Sequence, residues 1–135
     1  MDEIDLRLLT LLEKNPFVSK SSLARELKIS EGTVRNRVKK MLDGGKILLR
    51  VDYSSAQAFR AILLIKSEAK KPTSQLSQKL SKLPQIRIVY EVAGNYDLIA
   101  RCNCFTAHEY NELVEKVRAI DGVVSTESLI VLDAV

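Results

Sequence analysis

The chain has 135 residues, 46% of them hydrophobic, with 21 Lys/Arg against 17 Asp/Glu and a formal charge of +4. That is enough apolar material for a packed core, which excludes global disorder, and no apolar run approaches the roughly 20 residues of a bilayer span. The acidic opening "MDEIDL" argues against a secretory or mitochondrial leader, so the expectation is a soluble, cytoplasmic protein with no membrane partner.

A first helix is expected from Asp2, whose side chain can cap backbone N–H groups, with Ile4, Leu8, Leu11 and Leu12 on one stripe. Asn15-Pro16 ends it, because the residue before proline is pushed out of the α region. Ser19, Ser21 or Ser22 can cap a second helix running to about Lys28. Ser30 caps a third that runs to about Asp43, where Gly44-Gly45 stops it. "KILLRVDY" is rich in β-formers and could make a short strand or wing.

From Phe59 the rhythm changes. "FRAILLIKSEA" reads as a strand. Pro72 or Thr73 opens a helix with Leu76, Leu80 and Leu83 on one face, and Pro84 closes it. "IRIVYEVA" is a second strand, Gly94 to Asp97 a turn, and "LIARCNCF" a third strand. Thr106 and Glu109 have capping-box spacing and start a helix carrying Leu113, Val114 and Val117, which stops at Asp121-Gly122. "VVSTESLIVL" is the last strand. The order β-α-β-β-α-β is the ferredoxin-like arrangement. The expected fold is therefore α+β: a winged helix-turn-helix domain at 1–51, a linker at 52–58, and a ferredoxin-like domain at 59–135. Two helices cover one face of a four-stranded sheet. Apolar residues on the other face call for a second copy of the chain, hence a homodimer through the C-terminal domain.

Positive charge gathers on the third helix and just beyond it. Residues 31–50 hold six cations against Glu31 and Asp43. Leu23, Ala24 and Leu27 would pack the second helix inward, and Val34, Val38, Met41 and Leu42 the third. At about 100° per residue, Gly32, Asn36, Lys39 and Lys40 then point outward, with Arg35 and Arg37 on the shoulders. Arginine can read guanine and asparagine adenine in the major groove, and a helix N-terminus favours phosphate. The DNA-binding set is taken as Ser30, Glu31, Gly32, Thr33, Arg35, Asn36, Arg37, Lys39 and Lys40. The turn between such helices often holds glycine, and Lys28 stands there instead. The plainer alternative is an αα-hairpin with a solvated basic face.

Taken together, "MDEIDLRLLTLLEKNP", "SSLARELKISEGTVRNRVKKMLDGGKI", "VAGNYDLIARC" and "DGVVSTESLIVL" resemble the Lrp/AsnC, or feast–famine, family of prokaryotic transcription regulators along nearly the whole chain. The resemblance implies a winged-helix reader of double-stranded DNA and a C-terminal domain that dimerises and often assembles into octamers. It also implies a free amino acid as effector, bound between dimers near Gly94, Asn95, Tyr96 and Asp97 and near Thr126 and Ser128. Asn95 departs from the acidic residue common there, and Ser128 from the usual threonine. In chemical terms, Asp97 can meet an ammonium, and hydroxyls with turn amides can meet a carboxylate. An ordinary hairpin turn beside strand hydroxyls is the alternative.

Other constellations point elsewhere only weakly. Cys102 and Cys104 are too few for a structural zinc site, and His108 lacks a group to orient it for a Cys-His nucleophile pair. No metal, cofactor or enzymatic activity is expected. The expected function is a sequence-specific transcription regulator modulated by a free amino acid. The rival within the same class is a low-specificity protein that coats or bends DNA without a ligand.

Overall fold

The computed structural model describes residues 1–135, which divide into two compact units, Met1–Val51 and Asp52–Val135. Unit one holds α1 (Glu3–Lys14), α2 (Lys20–Leu27) and α3 (Glu31–Asp43). Each start is fixed by a side chain that satisfies otherwise unpaired N–H groups. Asp2 accepts from the Asp5 N–H at 2.9 Å, while Asp5 accepts from the Asp2 N–H at 3.3 Å. That reciprocal capping box was not expected, because aspartate stands where the motif calls for Glu or Gln. Ser19 accepts from Ser22 N–H and Ser30 from Thr33 N–H, both at 3.1 Å. Lys28 takes the left-handed backbone at φ 57°, filling the place where glycine is usual.

Leu8, Leu23, Leu27, Val34, Val38 and Met41 form the core of this unit. Leu42 does not join it. It is 38% exposed, one position past the stripe that Met41 completes. "KILLRVDY" makes no strand, and the Leu48, Leu49 and Val51 side chains stand exposed.

Unit two begins with a single 3-10 turn, Ser54–Ala56, and continues as β1 (Phe59–Ser67), α4 (Thr73–Ser81), β2 (Ile86–Glu91), β3 (Leu98–Cys104), α5 (Ala107–Arg118) and β4 (Val123–Ile130). The four strands lie in the order β2-β3-β1-β4, every neighbouring pair antiparallel. This is the expected ferredoxin-like order. Ala61, Leu63, Ile65, Leu98, Ala100, Cys102 and Cys104 alternate onto the face packed by Leu76, Leu80, Leu113 and Val117 of the helices. Thr106 caps α5 through the Glu109 N–H at 3.1 Å, but the box is not closed. The Glu109 carboxylate reaches past the cap to the Phe105 N–H at 2.8 Å. The other face carries Ile62, Leu64, Ile88, Tyr90, Ile99 and Leu129, none fully buried.

Candidate nucleic-acid interface and effector turn

Burial of Val34, Val38 and Met41 fixes the rotation of α3, so Arg35, Asn36, Lys39 and Lys40 stand exposed. Arg35, Asn36 and Lys40 have no side-chain partner, and Lys39 meets only Asp43 one turn away, at 2.9 Å. An exposed i,i+4 pair of this kind stabilises little, so Lys39 can be drawn away by a phosphate. A Cβ built on Gly32 would meet nothing nearer than the Ser30 hydroxyl at 4.0 Å, so space for a side chain exists there. Ser30 and Thr33 hydroxyls bond each other at 2.8 Å within the cap, which places them at the helix N-terminus beside Glu31.

Arg37, expected in the DNA-binding set, is engaged within its own unit. Its Nη1 donates to Asp2 Oδ1 and Oδ2 at 2.8 and 2.7 Å and to Asp5 Oδ1 at 3.0 Å. The side chain is 29% exposed and ties α3 to the start of α1. The hydrogen bond from Arg37, followed by that from the Asp5 N–H, holds the Asp2 carboxyl below its ordinary range; Arg37 is raised in turn. All three bonds leave from the single nitrogen Nη1, so the two carboxylates neutralise the guanidinium's charge without using its other N–H donors.

In unit two the turn Gly94 to Asp97 sits at the end of β1. Gly94 has φ +144°, a conformation side chains rarely adopt. The Asp97 N–H donates to the Ile65 carbonyl at 2.9 Å, and its Oδ2 accepts from Ser67 N–H at 2.8 Å. Tyr96 donates its hydroxyl to Glu127 Oε2, which raises the phenol's pKa, and Lys66 Nζ lies 5.8 Å from the centre of its ring. Asn95 is exposed. Thr126 and Ser128 share a face of β4, opposite Ile65 and Leu63, and that face is the helix-covered one. Ser128 and the Tyr110 hydroxyl of α5 are 2.7 Å apart. Within one protomer, then, the turn meets Lys66, Ser67 and Glu127 rather than the two hydroxyls. Glu127 is the residue that sequence reasoning missed. Its alternation with Thr126 was legible, but the face it would occupy was not.

Both thiols lie on the helix-covered face of the sheet. Burial pushes Cys102 up to about 12 and Cys104 up to about 11, so both stay protonated. His108 is exposed on α5, with its Nε2 3.1 Å from Glu112 Oε1, whereas both thiols are buried. No helix is long and apolar enough to cross a membrane.

Known proteins agree with this geometry. Residues 57–135 match the Lrp/AsnC ligand binding domain, and residues 1–47 the winged helix-turn-helix DNA-binding family. The HTH-type transcriptional regulator LysM of Sulfurisphaera tokodaii is 37% identical over 98% of this chain and 95% of its own. The structure of E. coli AsnC superposes with a TM-score of 0.77 at 27% identity, covering 99% of this chain and 93% of that one. The leucine response regulatory protein LrpA of Mycobacterium tuberculosis shares the fold with a TM-score of 0.86 at 23% identity, covering 99% and 94%. With a helix-turn-helix whose basic face is open, followed by a ferredoxin-like ligand-binding domain, the chain belongs to the Lrp/AsnC family of DNA-binding transcription regulators.

Proposed function

We propose that the protein is a cytoplasmic, non-enzymatic regulator that works as a homodimer, inserts α3 into the major groove of a roughly palindromic operator, and responds to a free amino acid. One observation carries the DNA part: α3 buries Val34, Val38 and Met41 and leaves Arg35, Asn36, Lys39 and Lys40 outward. Arg35 and Asn36 are the base readers, and Lys39 and Lys40 the phosphate contacts. Two such helices related by a two-fold axis read two half-sites about one helical turn apart. The uncovered apolar sheet face supports the dimer, and a tetramer of dimers would bring turn and hydroxyls together across an interface. In that arrangement Asp97 takes the ammonium, and Thr126 and Ser128 the carboxylate. No metal or organic cofactor enters.

A ligand-independent, DNA-coating reading has one observation of its own. Asp97 already accepts from Ser67, and Ser128 already pairs with Tyr110, so both groups are used without a ligand. Footprinting on the DNA upstream of the protein's own gene, with a thermal-shift screen of the twenty amino acids, separates the two. Discrete protected half-sites and a stabilising amino acid support the regulator. Continuous protection with no stabilising amino acid supports the coating protein.

A further inference from the structure

Between the start of α1 and the last turn of α3 lies an open basin of about 630 Å³, whose charged lining residues are Asp2, Asp5, Arg37, Lys40 and Lys46. Lys46 comes from beyond the helix, and the backbone fixes its place. Gly45 takes the left-handed conformation at φ +67°. The chain then turns back, so that the Gly45 N–H donates to the Leu42 carbonyl at 3.0 Å and the Lys46 N–H to the Met41 carbonyl at 2.9 Å. This helix stop holds Lys46 on the same basin as Lys40.

The charges of the basin are unevenly engaged. Arg37 binds both carboxylates, but through Nη1 alone, which leaves its other N–H donors unused. Lys40 and Lys46 have no side-chain partner. Three cations against two carboxylates leave one positive charge in excess, and both carboxylates are already turned to Arg37. An anion seated between the two lysines is attracted. Asp2 opposes it more than Asp5 does, with 55% of its side chain exposed against 17%. Lys40 also belongs to the outward face of α3, so the anion at hand is a phosphate of bound duplex. The plainer role for Lys46 is to sit at the negative pole of a helix end, which needs no ligand.

We propose that the basin holds a phosphate of the DNA backbone, gripped by Lys46 with Lys40 and the unused N–H donors of Arg37, and that Asp2 weakens the grip. The proposal rests on α3 reading DNA and adds Lys46 to that interface.

The test is fluorescence anisotropy of the full-length protein over a range of salt, on the DNA upstream of its own gene and on random duplex. The variants are Lys46→Gln, Lys46→Arg, Asp2→Asn and Lys39→Gln. Glu13→Gln and Lys14→Gln are controls at the other end of α1. At about 1.5 Å per residue they lie roughly 16 Å or more from Asp2, beyond the roughly 10 Å screening length at 0.1 M salt. Lys46→Gln should flatten the slope of log affinity against log salt by about one unit on both duplexes, a loss of roughly five- to tenfold at 0.1 M. Lys46→Arg should keep the wild-type slope. Asp2→Asn should bind both duplexes about two- to fivefold more tightly while melting lower. The two controls should change neither affinity nor slope.

Lys46→Gln with a wild-type slope would overturn the basin, whether or not it melts lower. So would Asp2→Asn that binds no more tightly than wild type, or an equal gain in Glu13→Gln, which would make the effect one of net charge. If Lys39→Gln flattens the slope and Lys46→Gln does not, the basin alone is wrong; if neither does, the α3 reading is wrong with it. Inorganic phosphate at fixed ionic strength is the last arm. Displacement of DNA from wild type but not from Lys46→Gln at millimolar phosphate would overturn the proposal in favour of a free anion.

Discussion

Two residues of α3 that were read together as DNA-facing meet different surroundings. Arg37 faces Asp2 and Asp5 and holds α3 against α1, while Gly32 faces open space. The Asp2 carboxyl lies below its ordinary value of 3.8 when folded, so its contribution to stability is present above that value and lost as the pH falls through the lower, folded one. Asp2→Asn should therefore be less stable than wild type at neutral pH. Denaturant titrations should show that gap closing in acid well below 3.8. A gap independent of pH would mean that the Asp2–Arg37 pair is not its source. Gly32→Ala has room in the fold, and replacing a glycine in the first turn of α3 should raise stability, by less than the roughly 1 kcal/mol of a helix-interior glycine. If backbone closeness to DNA is what the glycine serves, the same variant should bind operator more weakly while melting higher. Unchanged operator affinity would show that the position does not face DNA.

Among the elements, α2 and α3 are set by their ends. Ser30→Ala should cost about 1 kcal/mol by leaving the Thr33 N–H without its cap. Lys28→Gly should stabilise the protein by about 1 kcal/mol, because lysine pays the left-handed backbone penalty that glycine avoids. Urea unfolding of the two variants checks both signs. These ends were legible in the sequence because capping is local: Asp2, Ser19, Ser30 and Thr106 each act on an N–H three residues away. The β-α-β-β-α-β order was legible for the same reason, most of its boundaries being marked locally, by Pro72, Pro84, Gly94, Thr106 and Gly122. What depended on distant partners was not. Arg37 meets Asp2 across 35 positions, and nothing in the local pattern of α3 separates it from Arg35. β4 is an edge strand, exposed over most of its length, so hydrophobic alternation could not say which face Thr126 and Ser128 would take. "KILLRVDY" had the composition of a strand, but composition does not say whether a neighbouring strand is there to pair with.

At the scale of the whole molecule, one side of the sheet is left for association. Ile62 and Leu129 stand opposite each other on it, and Leu129 is 48% exposed. Placing a lysine at both positions would bury two charges in a sheet-to-sheet interface. The full-length double variant Ile62→Lys, Leu129→Lys should sediment as a monomer where wild type sediments as a dimer or larger. Unchanged sedimentation would put the interface elsewhere. The central claim is that α3 reads DNA with the face opposite its core. It is tested most directly by fluorescence anisotropy of wild type and the Arg35, Asn36, Lys39, Lys40→Ala quadruple variant, on the DNA upstream of its own gene and on random duplex, over a range of salt. The wild type should prefer the upstream DNA. The variant, folded by circular dichroism, should lose that preference, and the loss of Lys39 and Lys40 should flatten the dependence of log affinity on log salt by about one unit each. A folded quadruple variant with wild-type affinity, preference and salt slope would contradict the account.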